Sequence, residues 1–323
     1  MTIDGKLVTI FGGGGFVGRY VAEALLSQGA RLRIAQRNPQ GALHIKPLGN
    51  LGQVQLVAAD VRKPDSVMRA VKNADMVVNL VGSFDDMDAI QNVGAGNVAK
   101  AAKKAGCEAM VHMSAIGADK ESAARYGRSK AAGEVAVRKA FKGATILRPS
   151  IIFGREDKFI NRFAGLIRMA SALPFGDGIV PVIGARTKFQ PVFVGDVAQA
   201  IAQTLASEGD YAGKTYELGG PQIFSMLELN KWIAGATGRD PAFLEMPRFV
   251  AKALAVSTGW LPGAPISLDQ YRMLGSDNIV TGTDGLFAVG VSATPLAAVA
   301  HDWFDIYRKH GRFGDGDALH GRG

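Results

Sequence analysis

The sequence predicts a doubly wound α/β fold: a Rossmann-type parallel sheet with a smaller C-terminal α/β lobe. Three observations carry that reading. A short β-branched run, Lys6-Leu7-Val8-Thr9-Ile10-Phe11, passes through glycines into Tyr20-Val21-Ala22-Glu23-Ala24-Leu25-Leu26, which is apolar at helical spacing. Strand-like and helix-like segments then alternate as far as Pro149. One of them, Asp75 to Gly82, is apolar almost throughout, as a strand buried on both faces should be.

Taken in order, strands are expected at 31–36, 54–58, 75–82, 109–114 and 144–147. Helices are expected at 64–71, 88–105 and 124–141. Right-handed crossovers between such units place helices on both faces of a parallel sheet. Beyond Pro149 the pattern loosens: a helix over 158–172, an extended 189–194, a helix over 196–207 capped by Asp196, a strand over 214–218 and a helix over 225–237. The remainder, with Pro241, Pro247, Pro262, Pro265 and Pro295, reads as short helices joined by loops. Residues 1–150 are thus expected to form the nucleotide-binding core. Residues 151–323 form a lobe for substrate or partner docking, with 189–218 returning to the core sheet.

The chain has 323 residues, of which 47% are hydrophobic and 20% charged, a globular composition. Its one cysteine, Cys107, excludes a disulfide framework and a four-thiolate metal site, and no metal is expected. The net charge of +8 suits an acidic protein surface or anionic lipid headgroups. Nucleic acid is disfavoured, because the basic groups, such as Lys100-Lys103-Lys104 and Arg138-Lys139-Lys142, come without zinc-finger or aromatic RNA-binding signatures. Uncharged runs such as 253–268 are broken by Gly259, Pro262, Gly263 and Pro265, so no transmembrane span is expected. With Asp4 at the start and a strand from about Lys6, no presequence is expected either.

The glycines are spaced Gly12-x-x-Gly15-x-x-Gly18. Among 41 glycines a triplet alone says little, but one set between a strand and a helix gives a phosphate free N–H groups at a positive helix end. Phe16, Val17 and Arg19 share that turn. Arg37 closes the second strand where a dinucleotide fold would carry an acid for the ribose hydroxyls; an arginine there accommodates a 2′-phosphate and selects NADPH. Asp60 and Val61, ending the third strand, should reach the adenine. Leu80, Val81 and Gly82, ending the fourth, should pass beneath the adenosine, with Pro149 and Ile152 further along the cofactor.

Tyr126 and Lys130 lie four apart, on one helical face. An ammonium beside a phenol favours the phenolate, so Tyr126 is expected to have a lowered pKa and to act as general acid toward a carbonyl receiving hydride. Together with Leu147-Arg148-Pro149, these motifs resemble the extended and atypical branches of the short-chain dehydrogenase/reductase superfamily. So do Phe193-Val194-Gly195-Asp196-Val197-Ala198 and Leu218-Gly219-Gly220-Pro221. A narrower likeness rests on Arg125 to Glu134, Arg148 to Phe159, Ile266 to Gln270, Asp277 to Val280 and Thr294-Pro295-Leu296. These stretches are similar to the short-chain-dehydrogenase-like accessory subunit of respiratory complex I, the alpha subcomplex subunit nine family, in its bacterial form.

That resemblance implies a tightly held NADPH and contact with peripheral-arm subunits of complex I near the quinone site. It implies a peripheral place on the cytoplasmic face of the bacterial inner membrane and no known substrate. In one respect the chain departs from the superfamily. Ser114, at the place of the catalytic serine, precedes Tyr126 by only twelve residues, so the loop that shapes the active site is short and a working Ser114–Tyr126–Lys130 set is in question. Three functions stay open: a structural subunit without turnover, a freestanding NADPH-dependent reductase or epimerase, and an NADPH-sensing binding module.

Overall fold

The computed structural model describes residues 3–171, 178–207, 209–261, 264 and 266–308. Its centre is a seven-stranded, wholly parallel sheet. In chain order the first elements are β1 (Leu7–Phe11), α1 (Phe16–Leu26), β2 (Arg31–Gln36), β3 (Val54–Ala58), α2 (Pro64–Val71) and β4 (Met76–Asn79). There follow α3 (Ala95–Lys104), β5 (Ala109–Met113), α4 (Arg125–Ala140) and β6 (Thr145–Pro149). The C-terminal half adds β7 (Ile152–Phe153), α5 (Ile160–Ala170), β8 (Ile179–Val182), β9 (Lys188–Phe189), β10 (Val192–Phe193), α6 (Val194–Ala206) and β11 (Thr215–Leu218). It continues with β12 (Phe224–Ser225), α7 (Met226–Ala236), β13 (Ala242–Glu245), α8 (Arg248–Thr258) and α9 (Leu268–Met273).

The strand order is β3-β2-β1-β4-β5-β6-β11, so the direction of winding reverses between β1 and β4. Open parallel sheets bind ligands at such a switch point, beyond the C-terminal strand ends. Alternation along β1 builds both layers of core. Val8 and Ile10 pack with Val21, Leu25, Val197 and Ile201 of α1 and α6. Phe11 points the other way, among Val67, Val98 and Val137 of α2, α3 and α4. β11, reached after an excursion through residues 152–206, pairs with β6 as the seventh strand. A separate cluster of Phe153, Ile160, Ile167, Leu229, Ile233, Trp303 and Phe304 holds the C-terminal lobe.

Several local expectations are corrected. The first helix starts at Phe16, immediately after the last turn glycine. The helix expected over 88–105 opens as a wider π-helix over Asp88–Gly94 before α3. A Cβ at Gly133 would run into the Gln91 carbonyl oxygen of that segment, so glycine lets α4 pack against it. Asp196 is not a helix cap: α6 begins at Val194, and the buried carboxylate accepts instead from the Thr294 backbone N–H at 2.7 Å and hydroxyl at 2.8 Å. Of the helix expected over 158–172, Ile160–Ala170 is helical and Ala172 lies outside the described residues, as do Pro262, Gly263 and Pro265. No described helix is long and apolar enough to cross a membrane. Cys107 is buried, its Sγ 3.2 Å from the Ala74 carbonyl, and burial pushes its thiol up to about 11.

Candidate functional site

The glycine turn has the shape its spacing implies. Gly12 adopts φ +79, a left-handed conformation that disfavours side chains, and approaches the Leu80–Val81 backbone where β4 ends. A Cβ on Gly18 would collide with the Gly13 carbonyl, so this glycine sets the distance between α1 and the turn. Gly15 is the exposed N-cap of α1, with no side-chain acceptor on the first-turn amides and no acidic residue in that turn. The opening amides of α1, at Phe16 and Val17, therefore have no partner in the helix and no carboxylate competing for them. An anion fits there.

The chain gathers further groups along the same sheet edge. Arg37 is exposed just past β2 and has no hydrogen-bond or ion-pair partner among the described residues. Arg19 is spent on Glu156, at 2.9 Å, and the same carboxylate accepts from the Tyr20 hydroxyl at 3.0 Å. Asp60 is gripped by Arg62, with contacts of 2.7 to 3.2 Å, which holds its carboxyl down to about 2. Val61 is buried against Gly94. Leu80 and Val81 are half-buried and Gly82 is exposed, 3.5 Å from the Lys130 ammonium when given a Cβ. Pro149 is buried at the end of β6, and Ile152 is half-buried in β7.

Tyr126 and Lys130 do meet, but not as a phenolate pair. The Lys130 Nζ lies 5.7 Å from the Tyr126 ring centroid and donates to the Met113 carbonyl at 3.1 Å. The Tyr126 phenol is pushed up to about 12 by burial, opposite to the expected direction, because the ammonium sits by the ring and burial dominates. Burial also brings Lys130 down to about 8, against a smaller opposing effect of Glu134. Phe84, half exposed, stacks on Tyr126 with centroids 4.9 Å apart and an interplanar angle of 21°.

Ser114 is committed elsewhere. Its hydroxyl donates to Glu134 at 2.5 Å, and that carboxylate also takes a two-pronged contact from Arg148 at 2.8 and 2.7 Å. Ser114 is thus part of an ionic knot between α4 and β6 in which Glu134 is buried and Arg148 half-buried. Below it, Asn79 joins His112 Nδ1 at 3.2 Å, and His112 Nε2 is buried without a partner. Burial first, and the Lys130 charge second, hold this imidazole down to about 3.

That last shift predicts a pH dependence. Unfolding restores His112 to its ordinary value near 6.5, so between pH 6.5 and 3 the unfolded chain binds a proton that the native ring refuses. Stability should fall as pH falls, by about 2 kcal/mol from pH 6.5 to 5. Urea unfolding at the two pH values checks this; an equal drop in His112→Asn would contradict it.

Sequence reasoning missed Phe84, Glu134, Glu156 and Asp269. Asp269 Oδ1 and Oδ2 accept from the Arg125 and Tyr126 backbone N–H groups at 2.6 and 3.0 Å, capping α4 from 143 residues away. Ser267 and Gln270 form the capping box that fixes α9 for this task. Further on, Asn278 accepts from the Ser150 hydroxyl and sends its amide to the Ile116 carbonyl at 3.4 Å. The C-terminal motifs are thus straps across the site edge. Only Asp269 carried a local signal, a carboxylate in the first turn of a capped helix.

A glycine turn opening a helix at the switch point of a parallel sheet, with a Tyr–Lys pair on the helix after β5, is the arrangement of an NAD(P)H-binding protein of the short-chain dehydrogenase/reductase type. A family model described as NAD(P)H-binding matches residues 12–158. The chain is 35% identical over 318 residues to the mitochondrial NADH dehydrogenase (ubiquinone) 1 alpha subcomplex subunit 9 of Rattus norvegicus, covering 96% of this chain and 81% of the relative. Its identity to the Arabidopsis thaliana protein of the same name is 33% over 296 residues, covering 87% and 72%. This chain belongs to the alpha subcomplex subunit 9 family. The fold is shared with Citrobacter sp. triphenylmethane reductase complexed with NADP(H), at a TM-score of 0.73, 23% identity and 92% and 99% coverage.

Proposed function

We propose that this protein is an accessory subunit of respiratory complex I that holds NADPH as a structural ligand and does not turn it over. The observation that carries the second half is the Ser114–Glu134–Arg148 knot, which removes the hydroxyl that would polarise a substrate carbonyl. The subunit role rests on identity to the subunit 9 relatives across nearly the whole chain. The preference for NADPH rests on Arg37, unpartnered among the described residues where an acid would select the other cofactor. Gly12, Gly15, Phe16, Val17 and Gly18 would hold the pyrophosphate and Arg37 the 2′-phosphate. Lys130 and Tyr126 would border the nicotinamide end, with the backbone at Leu80, Val81 and Gly82 between the two.

On this reading Tyr126→Phe leaves both bound NADPH and recovery of the assembly within twofold of wild type. Nucleotide extraction and quantification after mild-detergent purification check it. A variant that lost an NADPH-consuming activity present in wild type would instead support a second reading, a freestanding reductase. The juxtaposition of Tyr126 and Lys130 is what favours that alternative.

We read residues 1–150 as the nucleotide-holding part and 151–323 as the docking part. α8 exposes Phe249, Val250 and Val256, with Trp260 and Leu261 just beyond it. Arg248 and Lys252 lie on the same helix, and no acid occurs between 246 and 268. Such a face suits an interfacial helix on anionic headgroups, a peripheral place at the bacterial inner membrane. Flotation with phosphatidylglycerol vesicles should fall at least about fivefold in Phe249→Asp/Trp260→Asp; unchanged flotation would remove the lipid contact.

A further inference from the structure

A second surface has a composition the proposed cofactor role does not use. It is the outer face of α3 and α4, which pack side by side, Gly96 against Ala136. The exposed residues of α3 are Lys100, Lys103 and Lys104. Those of α4 are Arg125, Arg128, Val135 and Lys139, with Lys142 just after and Val93 just before the pair of helices. From 89 to 107 there is no acid, and from 122 to 142 only Glu134, which is buried in its knot with Arg148.

Arg128 and Arg138 are spent on carbonyls of their own chain. Lys100, Lys103, Lys104, Lys139 and Lys142 have no hydrogen-bond or ion-pair partner among the described residues. Basic residues in a last turn complement the helix dipole, which accounts for Lys103, Lys104 and Lys139 taken singly. It does not account for Lys100, Lys142 or the missing acids. Lys100 and Lys104 stand at i and i+4, a like-charge spacing that weakens a helix. Beyond the dipole, no carboxylate among the described residues pairs with the cluster.

Charge and shape choose the occupant. The ends of α3 and α4 that carry most of these lysines precede β5 and β6, so they lie at the sheet edge opposite the nucleotide cradle. The exposed large apolar residues beside the cations are Val93 and Val135, with no aromatic ring among them for bases to stack on and no large apolar anchor for a bilayer. A second copy would set five lysines against five. We infer that the α3–α4 face docks an acidic surface of another protein. This rests on the reading of the chain as a subunit of a larger assembly.

The test compares three tagged forms purified in mild detergent: wild type, Lys100→Glu/Lys103→Glu/Lys104→Glu, and an equally charged control, Lys46→Glu/Lys188→Glu/Lys231→Glu, at exposed lysines on other elements. Carbodiimide, which joins an amine directly to a carboxylate, should link Lys103, Lys104, Lys139 or Lys142 to aspartates or glutamates of another polypeptide. The α3 variant should recover at least about tenfold less assembly per tagged chain, and the control less than about twofold less, with bound NADPH unchanged in both.

Equal recovery of the two variants, links only to a second copy, or loss of phosphatidylglycerol flotation with the assembly intact would overturn the inference. Wild type recovered without any partner would defeat the subunit reading. The face is then judged on purified chain bound to immobilised poly-L-glutamate. There the α3 variant must elute at lower salt than the control, and equal elution refutes it.

Discussion

Arg37→Glu is expected to strip the protein of NADPH. Among the described residues Arg37 has no other work: it is exposed at the end of β2, while the neighbouring Arg19 is tied to Glu156. A guanidinium on a phosphate makes charge-assisted hydrogen bonds worth roughly 1.5–3 kcal/mol, and glutamate replaces attraction with repulsion. Retention should fall by about tenfold to a hundredfold or more, since each 1.4 kcal/mol is a factor of ten. Because the side chain is exposed and makes no hydrogen bond or ion pair among the described residues, the fold itself should be untouched. Equilibrium dialysis with NADPH and with NADH reads the effect: the NADPH constant should worsen far more than the NADH constant. Equal changes in the two would mean that Arg37 does not meet a 2′-phosphate.

Glu134→Ala should be the most damaging single change to the fold near the site. The Glu134 side chain is 9% exposed and Arg148 28%. Alanine would leave Arg148 half-buried without its two-pronged partner and free the Ser114 hydroxyl. Breaking a buried pair from one side costs about 3–5 kcal/mol, reduced here to about 2–4 because Arg148 keeps some contact with water. For a chain of 323 residues that is a fall in Tm of roughly 3–6 °C. Glu134→Gln, which keeps the shape and some of the hydrogen bonds, should lose about half as much. If both variants melt with wild type, the knot does not hold α4 to β6.

The two outcomes also mark what the sequence could and could not reveal. The glycine turn and the Tyr126–Lys130 helix were legible because each depends on a short spacing set on a regular element. The parallel sheet was legible for the same reason, as its strands are separated by helices of ordinary length. Illegible were pairings between distant parts of the chain. The Asp269 cap on α4 and the Phe84 cover on Tyr126 join residues 143 and 42 positions apart.

Where local reasoning did assign an effect to the pair, it reversed the sign. Four-residue spacing brings Lys130 to the Tyr126 ring, but only the packed interior fixes whether Coulomb attraction or burial governs the phenol, and burial prevails. The small β8–β13 sheet and the exposed length of α8 were likewise hidden in a proline-rich stretch. Neither has a period or motif strong enough to stand out.

On the proposed function, NADPH is kept rather than used. One measurement meets it head on: isolate the tagged protein from membranes in mild detergent, give it a succession of carbonyl and quinone acceptors, and then extract and quantify its nucleotide. Close to one NADPH per chain, still reduced, is expected alongside complex I subunits. Bound nucleotide converted to NADP on adding an acceptor, in a protein recovered as a free monomer or homodimer, would contradict it.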